Sequence, residues 1–172
     1  MYRKEILNII GVTLGALLLN FNQASYADTA KTIIHDKQAK QKLLGKHKLA
    51  LQWISWDRFG TATVTEVDGQ LRIKGEQLGV DGTAPGTSTR PGAPGNIGDY
   101  LKLDGVITEL GSKEFKFKGK IQMRVSHINA GKPCNRNGTY TFALKSHPTY
   151  WRMQEINNPC DSVVDYVDLY CR

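Results

Sequence analysis

From His47 onward, apolar and polar positions alternate with period two, the pattern of strands with one buried face. The stretch GTATVTEVDGQLRIKGEQ, residues 60–77, shows it best. Asp68-Gly69 is a two-residue hairpin signal, because both residue types tolerate the positive φ such a turn needs. Pairing outward from that turn sets Val67 opposite Gln70, Val64 opposite Ile73 and Ala62 opposite Gly75. Ala62, Val64, Leu71 and Ile73 then share an inner face, and Thr61, Thr63, Thr65, Arg72 and Lys74 an outer one.

KEFKFKGKIQMRV, residues 113–125, places Phe115, Phe117, Ile121, Met123 and Val125 on one side and Lys116, Lys118, Lys120 and Arg124 on the other. Such a division fits an antiparallel sheet with one face on a core and one in water. Leu101, Leu103 and Ile107 supply the preceding strand, and matching its apolar face to the next asks for an odd-length loop around Gly111-Ser112. Leu49, Leu51 and Trp53 alternate in a strand ahead of these hairpins.

A turn at His147-Pro148 sets Leu144 opposite Trp151 and Phe142 opposite Met153. Carried to the open end, that register brings Cys134 opposite Asp161, one position from Cys160, and predicts a Cys134–Cys160 disulfide. Cys171 is left as a thiol along the last strand or a bridge to another molecule; the competing pairings join it to one of the first two. SVVDYVDLYC, residues 162–171, has helical as well as extended spacing, but three valines and two tyrosines favour a strand.

Residues 28–45 read as an N-terminal helix stopped at Gly45, and residues 46–172 as a single β domain. Residues 79–98, with six glycines and three prolines, read as a flexible loop with too few apolar residues to order themselves. Residues 1–27 carry Arg3 and Lys4, an apolar run from Ile6 to Phe21, and Ser25-Tyr26-Ala27. That is the layout of a cleaved signal peptide, and it predicts an exported protein, periplasmic or secreted, with no transmembrane segment in its mature form. Export also puts the cysteines where disulfides persist.

The full chain of 172 residues has a net charge of +7; without residues 1–27 the count is 21 basic against 15 acidic. That excess favours anionic surfaces such as nucleic acid, acidic polysaccharide or lipid headgroups, of which export argues against nucleic acid, and the row Lys116, Lys118, Lys120 with Arg124 suits an anionic envelope component or a partner protein. About eight strands joined mostly by short turns, in an all-β chain of this length, predict a small antiparallel up-and-down β-barrel; the alternative is a β-sandwich.

Leu44-Gly45-Lys46-His47-Lys48-Leu49, a helix end leading into a first strand, resembles the start of lipocalin-type (calycin) barrels, whose first strand carries Gly-x-Trp; here His47 stands at the tryptophan position. The resemblance implies a cup-shaped barrel that binds a small apolar ligand.

His35, His47, His127 and His147 lie in separate segments without metal-ligand spacing, so no metal is predicted and each reads as a surface or strand-end residue. Asp161, Asp165 and Asp168 form the one carboxylate cluster, solvated or ion-paired, and lack the ligand pattern of a calcium loop. Ser146 and His147 are adjacent in sequence, and no G-x-S-x-G occurs. The expectation is therefore a non-catalytic binding protein without cofactor. Its candidate ligand residues are Trp53, Phe115, Phe117 and Trp151. A protein-interaction module or inhibitor is the second reading, with Tyr150, Arg152, Lys116, Lys118 and Lys120 as contact residues, and an envelope-polymer hydrolase the third.

Overall fold

The structure, a computed structural model, describes residues 30–55, 58–79, 97–144 and 149–171. The cleavage site after Ala27, most of the glycine- and proline-rich loop and the His147-Pro148 turn lie outside the described residues. A two-residue strand, β1 (Ile33–Ile34), and one helix, α1 (Lys37–Leu43), precede eight longer strands. These are β2 (Gly45–Leu51), β3 (Gly60–Val67), β4 (Gln70–Leu78), β5 (Tyr100–Leu110), β6 (Glu114–Arg124), β7 (Cys134–Leu144), β8 (Tyr150–Met153) and β9 (Val167–Tyr170). Each of the eight pairs antiparallel with the next, and β9 returns to β2 through Leu49↔Leu169 and Leu51↔Val167. The result is a closed eight-stranded up-and-down barrel, which removes the exposed strand edges of an open sheet.

Two predicted hairpins hold residue by residue. β3 and β4 pair Val67 with Gln70, Val64 with Ile73 and Ala62 with Gly75 around Asp68 and Gly69, at φ 52° and 80°. β7 and β8 pair Phe142 with Met153 and Leu144 with Trp151. The third hairpin differs. Ile107 faces Phe117, but Leu110 faces Phe115, so the register slips by one residue between Ile107 and Glu109. This bulge restores the inward parity of Leu110, while the three residues 111–113 between the strands keep the odd length that matching Leu101, Leu103 and Ile107 to the next strand asks for.

The helix is shorter than residues 28–45. Asp36 accepts hydrogen bonds from the amides of Gln38 and Ala39 and so fixes the first turn. Ahead of it, Ile33 and Ile34 run parallel to β5 opposite Glu109 and Leu110. The β4–β5 ladder ends at Leu71↔Ile107, which leaves that end of β5 open to β1. Thr32 pins the junction: its hydroxyl donates to the Ile107 carbonyl and accepts from the Leu71 amide, at 2.5 and 2.8 Å.

The β7–β8 ladder does not run on to the cysteines. β8 stops at Met153, and the chain folds back on itself, with Asn157 bridged to Val164. The disulfide ties Cys134, at the start of β7, to that fold-back.

Inside the barrel Leu49, Leu71, Leu101, Ile107, Phe117, Ile121, Phe142 and Leu169 are fully buried, and each such side chain contributes about 1.5–3 kcal/mol. Gly105, Gly119 and Gly138 face one another across β5, β6 and β7. The space left by their missing side chains is taken by rings: a Cβ on Gly119 would lie 2.6 Å from the Phe117 ring, and one on Gly138 would lie 3.3 Å from the Tyr140 hydroxyl.

Candidate functional site

The four predicted ligand-contact aromatics do not meet around one cup. Phe115 stacks on Phe142 at 5.0 Å and meets the edge of Trp151 at 6.0 Å. Phe117 meets the edge of Phe142 at 6.2 Å. Phe115, Phe117 and Trp151 keep 1%, 0% and 2% of their surface exposed, so the three rings are packed into the interior and do not line an open cup inside the barrel. Trp53 belongs to the opposite end of the barrel, where it meets the edge of His127 at 6.0 Å and donates its indole N–H to the Val164 carbonyl at 3.0 Å. His47 is not a surface residue: it is 3% exposed, with its ring nitrogens 2.7 and 2.9 Å from the Leu43 and Tyr170 carbonyl oxygens.

The end near Trp53 holds a buried polar cluster that sequence reasoning missed. Asp165, with no exposed surface, faces Arg136 and Asn158, each at 3.3 Å. Burial pushes the Asp165 carboxyl above its ordinary range, against the opposing pull of Asn158 and Arg136. A cavity of about 10 Å³ beside Trp53, Asn158 and Asp165 has room for about one water. With both carboxylate oxygens occupied, the cluster ties the fold-back after β8 to the wall of β7. Its signal was in the sequence: Arg136 sits on the inward parity of β7, with Cys134, Tyr140 and Phe142.

Among the predicted surface residues, Arg152 is not a loose contact. Its guanidinium donates twice to Asp168, at 2.7 and 2.6 Å, and lies 4.3 Å from the Tyr166 ring and 5.0 Å from that of Tyr150. Asp168 raises the Arg152 pKa further, and burial pushes the Asp168 carboxyl up despite that partner. Tyr150 is half-buried and packs on Tyr170 at 5.3 Å. The pair locks β8 to β9 and leaves little of Arg152 to offer a partner.

The lysine stripe is different. Lys116 is half-buried and donates to the Thr141 hydroxyl at 2.7 Å. Lys118 and Lys120 are exposed and make no ion pair among the described residues. The barrel adds neighbours that the sequence hides. Val106 on β5 stands between Arg72 of β4 and Lys118 of β6, and Asp104 stands between Lys74 and Lys120. Arg72 is exposed and likewise makes no ion pair among the described residues. With strands about 4.8 Å apart and same-face residues about 6.8 Å apart, these four cations mark a rectangle of about 10 by 7 Å. Lys102 joins them one row on, paired with Glu76 at 3.1 Å, while Lys74 and Asp104 are 3.9 Å apart. Exposed pairs at such distances hold each other weakly, so the face remains basic.

The surface here is concave. A groove of about 370 Å³ runs past Thr63, Thr65, Arg72, Lys74 and Asp104. A second of about 430 Å³ runs past Lys74, Glu76, Lys102, Asp104 and Gln122. They share Lys74 and Asp104 and together cross from β3 to β6.

Among the described residues, no group of three or more His, Cys, Asp or Glu side chains is placed to hold a metal ion, and no helix is long and apolar enough to cross a membrane. A protein of Pasteurella multocida (strain Pm70), named "Uncharacterized protein PM1083", is 38% identical over 169 residues, covering 98% of this chain and 97% of its own. No solved structure matches. The PM1083 family model matches residues 31–171, and the chain belongs to the PM1083 family.

Proposed function

We propose that the protein is an exported, non-catalytic binding protein that holds an anionic partner on its basic outer face, in the periplasm or outside the cell. The observation that carries this reading is the set of exposed cations Arg72, Lys118 and Lys120, unpaired among the described residues and grouped on one wall. Cations left over on one surface attract an anion at long range and hold it in a salt-dependent way. The signal-peptide pattern of residues 1–27 and the Cys134–Cys160 disulfide support export. Carriage of a ligand inside the barrel finds little support, because the interior is filled by its own side chains.

Retention on immobilised heparin at stepped salt tests the reading. Lys118→Glu with Lys120→Glu should abolish retention, while Lys37→Glu with Lys46→Glu, an equal change of net charge elsewhere on the exposed surface, should leave most of it. Equal losses would mean that only overall charge matters, and the face would lose its claim.

A small, partly apolar ligand is the second reading. It is favoured by a groove of about 370 Å³ at the barrel end near α1, where Phe115 lies among His35, Glu109, Glu114 and Lys116. An additional mass carried by the purified protein under native but not denaturing spray conditions would support it.

A further inference from the structure

We infer that the anionic partner is a linear, carboxylate-bearing polysaccharide lying along the groove from β3 to β6, with one sugar ring against Tyr100; this rests on the binding reading above and names the partner's chemistry.

Three features favour a glycan over other polyanions. The first is shape. A track crossing three strand spacings, about 14 Å, accommodates a chain longer than one sugar, whereas a lipid surface would meet a face without a groove. The second is the mixture of charge. Asp104 and Glu76 sit within the groove beside Lys74 and Lys102. An unbroken row of phosphates would be repelled by those carboxylates. A uronate chain places its carboxylates on the cations and donates its hydroxyls to Asp104 and Glu76, while Thr63, Thr65 and Gln122 supply neutral hydrogen-bonding partners.

The third is Tyr100. It stands on the outer face of β5, two residues from Lys102, whose ammonium lies 5.3 Å from the ring centre. It is half-buried, and its cross-strand neighbour Leu78 is 52% exposed. An aromatic ring beside an exposed leucine, just beyond the last cation of a polar groove, is where the apolar face of a sugar would pack. Hydroxyl-to-carboxylate bonds to Asp104 and Glu76 would fix the chain's orientation, and the cations its affinity.

Calorimetric titration of the full chain with alginate oligosaccharides, polyphosphate, dextran, and vesicles containing phosphatidylglycerol tests this. Alginate should bind, dextran should not, and polyphosphate should bind more weakly. Tyr100→Ala should weaken alginate roughly tenfold while leaving polyphosphate unchanged, and Tyr100→Phe should retain alginate affinity. Thr63→Val with Thr65→Val, away from the core, should also weaken alginate and not polyphosphate. If polyphosphate or vesicles bind through Lys118 and Lys120 and alginate does not, or if alginate ignores Tyr100 and the threonines, the glycan assignment is overturned and the basic-face reading stands. If no anionic probe binds, both fall.

Discussion

Arg152 of β8 and Asp168 of β9 stand directly opposite each other and share two hydrogen bonds, of 2.7 and 2.6 Å, at the seam where the barrel closes. Asp168 has no exposed surface, so its charge depends on that partner. Arg152→Ala should cost about 3 kcal/mol, the low end for breaking a buried pair because the Arg152 side chain keeps 18% of its surface. Arg152→Lys should recover only part of it, since an ammonium cannot reproduce the two-pronged contact. Urea denaturation measures both; a loss below about 1 kcal/mol for the alanine variant would show that the pair does not hold the seam.

Asp165 gives a pH dependence with a definite sign. Burial raises its carboxyl above the ordinary value of 3.8, so the folded protein keeps a proton where the unfolded chain has released it. Stability from that difference is fully present below the ordinary value and is lost as pH rises through the folded one. Wild-type melting temperature should therefore fall relative to Asp165→Asn as pH is raised from the ordinary carboxylate range toward neutrality. Parallel profiles for the two proteins would contradict the assignment.

Gly119 tests the packed interior. Its Cβ would lie 2.6 Å from the Phe117 ring and 2.7 Å from the Gly105 Cα, and closer still to the Asp104 carbonyl oxygen. Two of those neighbours are backbone and cannot rotate away. Gly119→Ala should cost about 1–3 kcal/mol or more, and Phe117→Leu in the same chain should not restore it, because the backbone clash remains. Full recovery in the double variant would locate the conflict in the ring alone.

Local features were legible in the sequence. Alternation and the Asp68-Gly69 turn set the β3–β4 register, and Phe142↔Met153 followed from putting apolar residues on one side. The bulge between Ile107 and Glu109 left no mark, because one extra residue in a strand looks like a longer loop. Ile33 and Ile34 read as part of a helix, since the reason to form a strand lies 76 residues away on β5. The basic face was seen as a single stripe of lysines. Arg72 and Lys118 become neighbours of Val106 only when β4, β5 and β6 are side by side, and alternation within one strand cannot give that order. Arg152 was correctly turned outward, but tyrosines from elsewhere cover it, and Tyr166 is one of them.

The Cys134–Cys160 bridge closes a separation of 26 residues, and its loss should act chiefly on the unfolded chain. Loop closure of that length corresponds to about 3.5 kcal/mol, so Cys134→Ala with Cys160→Ala should lower the urea midpoint accordingly. The slope of stability against urea should rise, because an uncrosslinked chain exposes more surface on unfolding. Reductant should bring wild type to the behaviour of the double variant and leave that variant unchanged. Cys171 offers an internal control. It is half-buried, and burial pushes its thiol above the ordinary range, so in native wild type it should alkylate slowly while the bridged pair does not react. One slow thiol before reduction and three after denaturing reduction would agree with the pairing. A fast thiol, or two before reduction, would place the bridge elsewhere or leave it unformed.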